Sequence, residues 1–112
     1  MIEGHCDCGG VAVRLAKAPN RINACPCGYC RQIGAQWSYF KPANVTVTGQ
    51  THGYTRAAHR IDFRRCATCG TLICWQPRGG DMSVMGVHML LFPEKLRAGI
   101  PLTGDPLWDG AK

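Results

Sequence analysis

Eight cysteines fall into three tight groups and a singleton: Cys6-Asp7-Cys8, Cys25-Pro26-Cys27-Gly28-Tyr29-Cys30, Cys66-Ala67-Thr68-Cys69, and Cys74. Thiols grouped this closely can form disulfides, exchange electrons, or hold a soft metal ion as thiolates. The N-terminus, Met-Ile-Glu-Gly-His-Cys, has no basic start, apolar stretch or cleavage signal, so the expected setting is the reducing cytoplasm, where such cysteines read as metal ligands. A redox role for Cys27-Gly28-Tyr29-Cys30 would need a long helix opening at the motif. Arg31-Gln32-Ile33-Gly34 breaks such a helix early.

Spacing divides the ligands into two sites. In an extended strand, residues two apart point to the same side, so Cys6 and Cys8 can offer both sulfurs to one ion. Cys66 and Cys69, followed by Gly70, form a knuckle in which the chain folds back and glycine tolerates the positive φ at the exit. Together these four thiolates make a tetrahedral zinc site with every position filled, which implies a structural role. Closing a long stretch of chain, it would staple a domain too small to rely on its core alone.

The middle group differs. Cys25 and Cys27 share a face by the same strand rule, and Cys30 returns by a CxxC turn. Three thiolates then cap one side of an ion, with no fourth ligand nearby in sequence. Three protein ligands and one open position is the pattern of catalytic zinc, which activates water or binds a substrate thiolate. The expectation is two Zn²⁺ per chain. One alternative stays open at this point: Cys74 or a histidine closes the second site. Within Leu72-Ile73-Cys74-Trp75, Cys74 also reads as a small buried hydrophobe. Arg31, beside a ligand, could steer an anionic substrate. His88 and His59 are candidate proton carriers. Trp37 and Tyr39 share a strand face and could wall a pocket or pack the core.

The elements that must position these groups are short. The chain has 112 residues, with 14 Gly and 7 Pro, which implies one domain, 1–112, rich in turns. Strands are expected at Val11–Leu15, Arg21–Cys25, Gln36–Phe40, Val45–Thr48, Gly53–Thr55, Ile61–Arg65, Leu72–Trp75 and Met82–Met89. Short helices are expected after Cys30 and near Pro93. Residues 91–112 read as an irregular tail. The fold class is mainly β: a small zinc-stapled domain of short antiparallel strands. No run approaches the roughly 20 apolar residues of a membrane span. The formal charge of +6 counts each Cys as neutral; two zinc–thiolate sites bring it to about +3. That weakens a nucleic-acid reading, as does the lack of an arginine run.

The ordered motifs Gly4-His5-Cys6-Asp7-Cys8-Gly9-Gly10-Val11, Cys25-Pro26-Cys27-Gly28-Tyr29-Cys30-Arg31, Val47-Thr48-Gly49 and Phe63-Arg64-Arg65-Cys66-Ala67-Thr68-Cys69-Gly70, within residues 4–90, resemble the glutathione-dependent formaldehyde-activating (CENP-V/GFA) family. The resemblance implies the Mss4-like fold and carbon–sulfur lyase chemistry, the condensation of formaldehyde with glutathione to S-hydroxymethylglutathione. It matches Cys6, Cys8, Cys66 and Cys69 to structural-zinc positions and Cys25, Cys27 and Cys30 to catalytic-zinc positions. The family often carries His between the cysteines of each CxC pair, where this chain has Asp7 and Pro26. The alternative function is a non-catalytic zinc module that binds a protein or nucleic acid.

Overall fold

Two sheets carry the chain, and each of the three cysteine groups lies in, or at the edge of, a connection between strands. A computed structural model describes residues 2–57, 59–78 and 83–105. The smaller sheet joins β1 (Ile2–His5), β2 (Ala12–Leu15) and β5 (Val45–Thr48), with β2 in the middle and both pairs antiparallel. The larger sheet contains β3 (Ile22–Asn23), β4 (Trp37–Phe40), β6 (Thr51–Tyr54), β7 (Ile61–Cys66), β8 (Leu72–Pro77), β9 (Met85–His88) and β10 (Leu102–Thr103), in the order β10-β3-β4-β9-β8-β7-β6. The helices are α1 (Gly28–Ile33) and α2 (Glu94–Arg97). The class is mainly β, and its pairings are antiparallel except for β10 against β3, which is parallel.

The larger sheet is covered on both faces. At β9 all four residues are buried, because period-two alternation feeds two different clusters rather than core and solvent. Met85 and Val87 enter a cluster with Val11, Val13, Leu15, Ile73 and Met89 that fills the space against the smaller sheet. On the opposite face Trp37, Ile61, Phe63 and Trp75 form a second cluster. Cys6 and Cys66 belong to the first cluster, Cys25 and Cys30 to the second. A register shift between Arg64 and Arg65 sets two residues of β8 against one of β7, and Ile73 and Cys74 both join the first cluster.

Several expectations change here. Strand β1 precedes the first strand read from the sequence. Cys6-Asp7-Cys8 is not extended: the Gly9 N–H donates to the Cys6 carbonyl at 3.0 Å, closing a turn with Gly9 at φ +78°. The expected strand over 21–25 shrinks to Ile22–Asn23. The helix expected after Cys30 begins earlier, at Gly28, and contains Cys30. The tail is more regular than composition implies. Met89–Leu91 forms a 3-10 turn, α2 follows Pro93, and Leu102–Thr103 becomes β10. A two-residue strand has too short a period to be legible; tertiary hydrogen bonds make this one. The strand expected from Met82 begins at Met85, and Met82 itself lies outside the described residues. No described helix is long and apolar enough to cross a membrane.

Gly86 shows how tightly the second face is filled. It lies opposite Trp75 in the β8–β9 pair, and a Cβ at this position would run into the indole ring. Gly86→Ala should therefore cost about 2 kcal/mol of stability by overpacking. Urea unfolding measures this, and an unchanged midpoint would contradict the packing described.

Candidate metal centres

The turn between β1 and β2 and the turn between β7 and β8 are built alike. In the first, Cys6 N–H donates to the Val11 carbonyl and Gly9 N–H to the Cys6 carbonyl; in the second, Cys66 N–H donates to Thr71 and Gly70 N–H to Cys66. Gly9 and Gly70 both have φ of +78°, a conformation that costs glycine little. These turns bring Cys6, Cys8, Cys66 and Cys69 together, with all four sulfurs within 4.8 Å of one another. Cys6 Sγ lies 3.6 Å from Cys8 Sγ, and Cys8 Sγ 3.7 Å from Cys66 Sγ. A zinc–sulfur distance of about 2.3 Å gives a tetrahedral edge of about 3.8 Å. The donor set therefore fits a zinc ion, and the separations far exceed a sulfur–sulfur bond of about 2.05 Å.

Backbone amides point at these sulfurs. Val11 N–H donates to Cys6 at 3.3 Å, Gly10 N–H to Cys8 at 3.4 Å, and Thr68 N–H to Cys66 at 3.4 Å. Donors aimed at sulfur favour the thiolate a metal requires. The effect is strongest at Cys69: the Thr71 hydroxyl, 3.1 Å from its sulfur, and then the Thr71 backbone pull its pKa down to about 5.

The second group comes from the β3–β4 connection. Cys25, Cys27 and Cys30 also hold their sulfurs within 4.8 Å. Cys27 caps α1, its sulfur accepting the Cys30 N–H at 3.4 Å, and Gly34 ends the helix at φ +68°. Trp37 Nε1 donates to Cys30 Sγ at 3.4 Å. Burial pushes the Cys30 thiol well above its ordinary range. At Cys27 burial acts in the same sense, but hydrogen bonding from Cys30 and the charge of Arg56 outweigh it and lower the pKa. The Arg56 guanidinium lies over Gly28. A cleft of about 350 Å³ opens beside Cys25 and Cys30, bordered by Pro26, Arg31 and Gln36.

Other candidates are distributed unevenly. Arg31 is exposed on the cleft border, with no ion-pair partner among the described residues. His88 is buried against Trp37, with ring centroids 5.7 Å apart, and its Nδ1 lies 3.2 Å from the Leu72 carbonyl. Burial lowers its pKa, which favours the neutral imidazole, and its buried Nε2 has no hydrogen-bond partner among the described residues. His59 is exposed, at φ 53°. Cys74 joins neither sulfur group and is wholly buried in the first cluster, where desolvation pushes its thiol up to about 12. Among the described residues no His, Asp, Glu or further Cys completes the second group. Three contributors escaped the sequence reading: Thr71, the Trp37 N–H and Arg56. Thr71 had a local signal, a hydroxyl two residues after a knuckle cysteine; the other two depend on folding.

A family model described as glutathione-dependent formaldehyde-activating enzyme matches residues 1–99. A solved structure of a Rhodobacter sphaeroides protein, from a structural genomics programme, superposes with a TM-score of 0.73 at 22% identity, covering 91% of this chain and 100% of the other. At that identity the likeness speaks for the fold. No curated protein matches the chain.

The unequal thiols predict a pattern of alkylation. In metal-free, reduced protein at pH 7, Cys69 is above its folded pKa of about 5 and ionised, whereas Cys74, at about 12, is protonated and inaccessible. Iodoacetamide followed by peptide mass mapping should modify Cys69 early and Cys74 last. Lowering the pH through 5 should protect Cys69, and Thr71→Val should slow its reaction at neutral pH.

Proposed function

The chain belongs to the glutathione-dependent formaldehyde-activating enzyme family, and from that premise we propose that it is a zinc-dependent carbon–sulfur lyase joining a small thiol such as glutathione to formaldehyde. The observation that carries this reading is the three-sulfur group at the cleft. Cys25, Cys27 and Cys30 converge without a fourth side-chain ligand among the described residues, beside a space large enough for a small molecule. In this reading Cys6, Cys8, Cys66 and Cys69 hold a structural zinc, and Cys25, Cys27 and Cys30 hold a second one with a position left for substrate. A cation held by these three cysteines would supply the charge that favours the thiolate form of a thiol near neutral pH.

The protein supplies the placement. Helix α1, started at Cys27 and ended at Gly34, locks Cys27 and Cys30 three residues apart on one turn. Trp37 anchors Cys30 from behind, donating to its sulfur so that the side chain cannot rotate away. Arg31, without an ion-pair partner among the described residues, attracts a carboxylate-bearing thiol into the cleft. The aromatic cluster of Trp37, Phe63 and Trp75 excludes water from the buried side of the group. A substrate that must enter as a reduced thiol also suits the cytoplasmic setting expected from the sequence.

Native mass spectrometry should find two zinc ions in the wild type. The zinc-loaded protein should form S-hydroxymethylglutathione from glutathione and formaldehyde faster than the spontaneous reaction. Cys30→Ser should keep the fold and one zinc while losing on the order of 100-fold or more in rate. Cys66→Ser should instead lower the melting temperature, since it opens the site joining the two sheets. A wild-type rate equal to the spontaneous one would overturn the proposal.

A further inference from the structure

The cluster of Cys25, Cys30 and Trp37 has a polar neighbour that the reading above leaves without a role. Tyr39 lies two residues beyond Trp37 on β4, on the same face, half-buried against this cluster with its ring 6.2 Å from Trp75 and Arg21 5.4 Å above it. Its hydroxyl meets Asn23, a wholly buried side chain on the neighbouring strand.

The hydrogen bonds of Asn23 fix its orientation. Asn23 Oδ1 accepts the Asp105 backbone N–H at 2.8 Å and the Thr103 hydroxyl at 3.0 Å. A backbone N–H can only donate, so this side-chain atom must be the oxygen. The amide nitrogen then donates to the Tyr39 oxygen at 2.9 Å and to the Asp105 carbonyl at 3.0 Å. Tyr39 is the acceptor in that bond. Its own O–H points elsewhere, and it has no acceptor among the described residues. A phenol is protonated at neutral pH, so the O–H is there to donate. A phenol whose oxygen is held from one side is a preoriented donor on the other.

We propose that the Tyr39 hydroxyl donates a hydrogen bond to the aldehyde oxygen during carbon–sulfur bond formation, and that Asn23, gripped by the segment at and beyond β10, aims it. This rests on the lyase reading above. As the thiolate sulfur bonds to the carbonyl carbon, the carbon–oxygen π bond breaks and its electron pair moves to oxygen. Tyr39 stabilises the negative charge gathering there without giving up its proton. Water supplies the proton that completes the hydroxymethyl group, balancing the one the thiol released on ionising. Hydrogen-bond donors aimed at developing oxyanions are among the larger contributions to acyl and carbonyl chemistry.

Tyr39→Phe keeps the ring packing and removes only the donor. In the zinc-loaded enzyme it should lower kcat about 100-fold with little change in the glutathione KM. Asn23→Asp tests the aiming separately: the new carboxylate oxygen accepts where the amide donated, so the Tyr39 O–H turns toward it, and kcat should fall comparably with Tyr39 still present. Raman spectra of the tyrosine Fermi doublet, taken as the difference from Tyr39→Phe, read the same switch without turnover: an accepting phenol in the wild type, a donating one in Asn23→Asp. If Asn23→Asp does not fold, Tyr39→Phe kinetics and the wild-type Raman difference decide. An active wild type whose Tyr39→Phe variant retains full kcat overturns this inference alone. A wild type with no rate above background overturns both it and the lyase reading.

Discussion

Four sulfurs from two turns, Cys8 and Cys66 being 58 residues apart along the chain, are brought within 4.8 Å of one another, and this is the constraint on which the architecture hangs. One pair sits on a turn of the three-stranded sheet, the other on a turn of the seven-stranded sheet. Ionised thiols this close repel one another, so ionising all four together is favourable only with a cation among them. The backbone amides aimed at the sulfurs lessen that repulsion and do not remove it. A metal ion held there would join two sheets whose shared core packs around Val13, Ile73 and Val87.

The larger sheet separates this joint from the second sulfur group. Alternation along β9 sends Met85 and Val87 toward the staple and His88 toward the cleft side, so the two sulfur groups share strands while facing different environments. Anything that loosens the cleft group reaches the first site only through a packed sheet. Cys74 is fully buried on the first cluster's side of the sheet and joins neither sulfur group.

The cleft side depends on contacts that are very distant along the chain. Asn23 meets Thr103 and Asp105 across separations of 80 and 82 residues, and through Tyr39 it links that segment to the second cluster. The parallel pairing of β10 with β3 is short, yet it orders the segment that sets the Asn23 amide. A stretch that composition alone marks as loose is thereby tied, through Asn23, to Tyr39 at the edge of the second cluster.

The grouping of the cysteines, the mainly β class and the family resemblance were all legible in the sequence, because ligand spacing of two or three residues is a local property and the alternation of Val11, Val13 and Leu15 is a local period. The local conformation that delivers the sulfurs was not. Cys6 and Cys8 converge through a turn rather than along a strand, since only a turn also points N–H groups at sulfur. The start of α1 at Gly28 follows from Cys27 acting as its cap, a role thiols fill too rarely to be anticipated. The partners of the cleft, Trp37 on Cys30 and Asn23 on Tyr39, and the separation of Cys74 from both sulfur groups were decided by tertiary structure alone. Which strands become neighbours is a matter of sheet order, and sheet order depends on long-range burial that no window of adjacent residues encodes.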